Sequence, residues 1–82
     1  MVVSNVLSWQ NVKDAVYVFN EENGSVIKFE NVAAEVWNMV SEGNNINEIV
    51  ARISLKYGVD NSQAQRDIDE FIFELERENY LV

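Results

Sequence analysis

The chain has 82 residues and a formal net charge of −8, from 14 acidic and 6 basic side chains, with no His, Cys or Pro. Without Cys there is no disulfide framework, thiol chemistry or cysteine metal site, and without His the usual general base and the commonest metal ligand are missing. The charge opposes nucleic acid and anionic lipid surfaces, while the 48% apolar content is that of a globular chain rather than a disordered one.

This length predicts one domain over residues 1–82, with a core modest enough to gain from a partner. No segment approaches the length of a membrane span. The opening MVVSNVLSW has neither the basic region nor the apolar run of a signal peptide, so a cytoplasmic location is expected.

With no Pro, chain breaks must come from Gly, Asn and Asp. Residues Val2 to Gln10 alternate weakly and read as a first strand. The segment DAVYVF (Asp14 to Phe19) is β-branched and aromatic, a clear strand signal. NEENG (Asn20 to Gly24) reads as a hairpin connection, because Asn23 and Gly24 tolerate positive φ. SVIKFE (Ser25 to Glu30) returns as a third strand. Lys28 marks its outer face, shared with Val26, which turns Ile27 and Phe29 inward.

From Asn31 the apolar period changes. Val32, Val36 and Val40 recur every four residues with Ala33 and Trp37 alongside, predicting a helix that ends at Gly43. Asn45 precedes Glu48 by three residues in the pattern of a capping box. A second helix follows, with Ile46, Ile49, Val50, Ile53 and Tyr57 on one face and Gly58 at its end. Asp60 is the expected cap of a third helix reaching Glu78, with Ala64, Ile68, Phe71, Ile72 and Leu75 inward and Phe73 on the opposite side. Tyr80, Leu81 and Val82 form an apolar tail expected to fold back. The predicted fold is α+β and winged-helix-like, a three-stranded antiparallel sheet followed by three helices.

The acidic residues of the last helix are spread around it, with no loop to gather oxygens, and read as a solvated face rather than a metal or acid–base site. There is no phosphate loop and no nucleophile beside a base, so neither an activity nor a cofactor is expected. Nucleic-acid binding suits a winged-helix order, but Arg66 and Arg77 face six acidic residues on that helix. Trp37 reads as core. Ser25 to Phe29 reads as a short apolar sheet edge, either covered by a loop or helix or open to strand addition by a peptide.

Three stretches carry a further pattern: Gly24 to Ile53, Tyr57 to Asp60, and Arg66 to Val82. The order of a strand end, an apolar-Trp pair (Val36-Trp37) and an Asp-apolar helix start (Asp67-Ile68) resembles the PqqD-like family. These are the peptide-recognition elements of pathways that modify ribosomally made peptides. Glu30 departs from the pattern, which usually has Asn there, although a carboxylate can also cap a helix.

The resemblance implies a non-catalytic adaptor for natural-product biosynthesis. It would bind the leader segment of a precursor peptide and present it to a modifying enzyme, such as a radical SAM maturase or a leader protease. The leader would add to the third strand and lie against the third helix. The residues carried over are Ser25, Val26, Ile27, Lys28 and Phe29 on the strand, with Arg66, Asp67, Ile68, Phe71 and Phe73 on the helix. On charge alone, Lys28 and Arg66 offer pairing to acidic leader residues, or the surrounding acidic surface instead steers a basic enzyme partner. A monomer or weak homodimer is expected. The alternatives are a winged-helix nucleic-acid regulator, or a structural subunit that dimerises through the same edge.

Overall fold

The computed structural model describes residues 1–82. Three strands, β1 (Leu7–Val12), β2 (Ala15–Asn20) and β3 (Val26–Glu30), precede three helices, α1 (Val32–Ser41), α2 (Ile46–Tyr57) and α3 (Asn61–Arg77). The sheet is an antiparallel meander in the order β1-β2-β3, so β3 is an edge. The predicted α+β arrangement is the one formed.

Local chemistry explains most boundaries. In the β2–β3 hairpin the Asn20 side chain accepts from the backbone N–H groups of Glu22 and Asn23, and Gly24 takes φ 77°; Asn23, expected to share the positive φ, does not, and its side chain instead accepts from Ser25 N–H. The end of α1 is a Schellman turn: Gly43 N–H donates to Val40 and Asn44 N–H to Met39, with Gly43 at φ 92°. Asn45 and Glu48 form the capping box at α2, each side chain accepting from the other's backbone N–H at 2.9 and 2.8 Å. Asp60 caps α3 by accepting from Ser62 N–H.

Three local expectations are corrected. The first strand begins at Leu7 rather than Val2 and continues to Val12. Val2 and Ser4 instead pair with the C-terminal tail, where Val2 exchanges hydrogen bonds with Val82 and Ser4 N–H donates to Tyr80. Glu30 does not cap α1. It is the last residue of β3, and Asn31 occupies the cap position at φ 55° without a side-chain hydrogen bond. Tyr57 is exposed rather than core, because its hydroxyl reaches out to donate to Glu35 on α1.

The core gathers Val16 and Val18 of β2, Phe29 of β3, and the inward stripes of the helices. Trp37 has no accessible surface and is the largest side chain in it. Its ring meets Trp9 edge-on at 5.5 Å and Phe29 at 5.6 Å, tying α1 to both edges of the sheet. Its Nε1 has no acceptor, so packing alone holds it. Trp37→Ala should therefore reduce stability by about 3–5 kcal/mol, measured by urea denaturation. A loss below about 1 kcal/mol would contradict this placement.

Glu35 links α1 to the end of α2, accepting from Lys56 Nζ at 2.7 Å and from Tyr57. The Lys56 hydrogen bond first, and the Tyr57 one second, hold its carboxyl below the ordinary 4.5. A depressed carboxylate stabilises the fold above its unfolded pKa, and that contribution disappears as pH falls through the folded value. Between about pH 5 and about pH 3 the native chain should lose more stability than Glu35→Gln, read from thermal melts. Parallel pH profiles would contradict the link.

Candidate peptide groove

The edge strand exposes a defined set of backbone groups. Asn31 N–H donates to Asp14 and Asn20 N–H to Ser25, and between these bonds Phe29 lies opposite Val16 and Ile27 opposite Val18. Antiparallel pairing alternates, so Ser25, Ile27 and Phe29 bond towards β2. The N–H and C=O groups of Val26, Lys28 and Glu30 therefore point away from the sheet. No turn or loop hydrogen bond uses them. An unpaired row of this kind is a template for another strand.

On the inner side of that edge runs a cleft of about 270 Å³, lined by Ile27, Phe29, Phe71, Glu74, Leu75, Glu78 and Tyr80. Phe29 is nearly buried, and its ring meets that of Phe71 edge-on at 5.3 Å, which sets the separation of β3 and α3. Leu75 is the floor. Tyr80 arrives through a second Schellman turn, in which Asn79 takes φ 63°, Asn79 N–H donates to Glu76, and Tyr80 N–H donates to Leu75 at 2.8 Å. That turn folds the tail back over the last turn of α3 and buries Leu81.

A second apolar hollow, about 330 Å³, is lined by Val32, Ile53, Tyr57, Val59, Ala64, Asp67 and Ile68. Ala64, Ile68, Phe71, Leu75 and the C-cap Glu78 recur at intervals of three and four, with Asp67 and Glu74 beside them, so both hollows lie on one stripe of α3. The other concavities have more polar linings. One of about 480 Å³ lies at the α1–α2 turn beside Met1. Another surrounds the Glu35–Lys56–Tyr57 cluster and the Asn38–Asn11 hydrogen bond. No three acidic side chains converge closely enough to hold a metal ion, and no helix is long and apolar enough to cross a membrane.

The predicted residues thus divide. Ile27, Phe29 and Phe71 meet in the first hollow, and Asp67 and Ile68 line the second. Val26 and Lys28 lie on the outer face of the sheet, where Lys28 pairs with Glu30 at 3.5 Å and sits over the Tyr17 ring. The Glu30 carboxylate first, then Tyr17, raises the Lys28 pKa. Arg66 is exposed and lines neither hollow. Phe73 is 62% exposed and lines neither hollow. Glu74, Leu75, Glu78 and Tyr80 were not singled out in the sequence as lining residues. Their only signal was the continuation of the α3 stripe into the apolar tail.

The family model for coenzyme PQQ synthesis protein D (PqqD) matches residues 16–81. No curated protein matches the chain significantly in sequence. Among solved structures, TbiB1 in complex with the TbiA(beta) leader peptide is 26% identical with a TM-score of 0.93, over 99% of this chain and 94% of that one. Lasso peptide synthetase B1 complexed with the leader peptide is 15% identical with a TM-score of 0.89, over 98% of this chain and 94% of that one. At that lower identity the likeness is one of fold.

The groove reading separates rim from core on α3. Phe71 is half-buried on the rim, and Ile72 beside it is 4% exposed. Phe71→Ala should reduce folding stability by about 1–2 kcal/mol and Ile72→Ala by about 2–5 kcal/mol, compared by chemical denaturation. Equal losses would mean that Phe71 is a core residue with no free face.

Proposed function

The chain belongs to the PqqD family, and from that premise we propose that it is a non-catalytic adaptor that captures the leader segment of a ribosomally made precursor peptide and presents it to a modifying enzyme. One observation carries this reading: along almost its whole length the chain shares the fold of TbiB1, solved with a leader peptide bound, and it keeps an open β3 edge beside an apolar groove.

The geometry supports a division of labour. The outward groups of Val26, Lys28 and Glu30 offer hydrogen bonds to any extended backbone, giving affinity that tolerates sequence. A strand added there places alternate side chains on the inner side of the sheet, over Ile27, Phe29 and Phe71. Those contacts supply the choice of peptide. Asp67 and Ile68 extend the same wall towards the start of α3. Lys28 contributes its backbone, and its side chain stays on the outer face. The modifying enzyme acts on the peptide that this surface holds, and the adaptor contributes no reacting group. A nucleic-acid role is not favoured, since α3 presents Asp69, Glu70, Glu74, Glu76 and Glu78 to solvent.

The test removes one outward donor without touching the ladder. Lys28→Pro deletes an N–H that β2 does not use, and edge strands accept Pro. Leader-peptide affinity, measured by calorimetry, should fall about tenfold or more, as expected for one lost main-chain bond plus the unpaired carbonyl left on the peptide, while the melting temperature changes little. Unchanged affinity in a folded variant would refute strand addition.

A further inference from the structure

We infer that the groove selects leader segments carrying a Lys or Arg beside the apolar side chain seated between β3 and α3. This rests on the adaptor reading above and adds the charge class of the peptide.

The observation is an asymmetry in the cleft. Its charged lining groups are Glu74 and Glu78, both acidic. The cations expected from the sequence to serve the peptide are elsewhere, Lys28 on the outer face of the sheet with Glu30, and Arg66 outside the lining. Arg77 reaches Glu74 at 2.6 Å and neutralises part of that pair, while Glu78 has no ion-pair partner.

Position on the helix adds to the effect. Glu74 and Glu76 are in the last turns of α3, and Glu78 is its C-cap. The C-terminal end of a helix dipole is negative, so carboxylates there are disfavoured and cations favoured, although the carbonyls of Glu74, Leu75 and Glu76 are already bonded by the closing turn. A free carboxylate at that end, on the wall of an apolar groove, opposes the intrinsic preference of the helix and is compensated when a cation docks. A leader ammonium or guanidinium beside the seated apolar side chain meets Glu78, Glu74 and the helix terminus together. An acidic leader residue at the same place meets all three as repulsion. The groove therefore discriminates by exclusion as well as attraction.

The experiment selects a phage-displayed library of random short peptides on the intact protein and on Glu74→Gln/Glu78→Gln. Both positions are exposed, so the variant retains the fold, which its melting temperature checks. The native protein should enrich peptides with Lys or Arg next to an apolar residue, and the enrichment should fall at least about threefold on the variant. Synthetic copies of the enriched peptides should shift the amides of Val26, Lys28 and Glu30. If the enriched peptides shift those amides but show no basic preference, or the preference persists on the variant, the charge inference is overturned and the groove stands. If they leave those amides unmoved, both the groove and the inference fall.

Discussion

Trp37 stands between the two edges of the sheet, with Trp9 of β1 against one side of it and Phe29 of β3 against another. Phe29 in turn meets Phe71 of α3, so four aromatic rings run in contact from β1 through α1 and β3 to α3. This row fixes how far α3 stands from the sheet edge. A bulky ring at position 71 keeps the helix from closing over β3, and Phe29 fills the space beneath. The result is a groove whose floor is core and whose walls are a strand edge and a helix stripe. The rest of the structure depends on that spacing. Without Trp37 the strand would lose its support from behind.

In the adaptor reading the same arrangement gives a small acidic protein without His or Cys its part in a chemical pathway. Its contribution is geometric. An edge strand with three outward residues offers hydrogen bonds that any extended peptide can accept, and an adjoining apolar stripe gives preference among peptides. Stability is supplied away from the groove by the capping box at α2 and the Glu35 link. The groove face can then keep features that add little to folding, such as the acidic end of α3.

How much of this could be read from residues alone varied with the range of the interaction. The Gly24 turn, the Asn45–Glu48 box, the Asp60 cap and the glycines after α1 and α2 are local signals, and each acts in the structure as its type requires, whereas Asn23 does not take the positive φ expected of it. The start of β1 was misread because a few alternating apolar residues at Val2 fit a sheet strand and a pairing with the C-terminal tail equally well. Its end was obscured because the turn to β2 carries no Gly, Lys13 itself taking φ 57°. Within α3, rim and core share one helical period. Periodicity placed Ile68, Phe71 and Leu75 on the inward stripe, but only the path of the tail after Asn79 decides which of them borders solvent. The place of Glu78 and Tyr80 in the cleft lining follows from that path. The orientation of Lys28 was legible from strand alternation, yet its separation from the groove follows only once the groove is known to lie on the inner side.

The central claim is that the third strand is open and accepts a peptide as a fourth strand. Amide hydrogen exchange followed residue by residue by NMR tests it most directly, with and without the precursor's leader peptide. In the free protein Ile27 and Phe29 should be protected by β2 while Val26, Lys28 and Glu30 exchange quickly. On saturation with leader the three fast amides should become protected, and the β1 amides should not change. Val26, Lys28 and Glu30 already protected in the free monomer, or still fast in the saturated complex, would contradict the account.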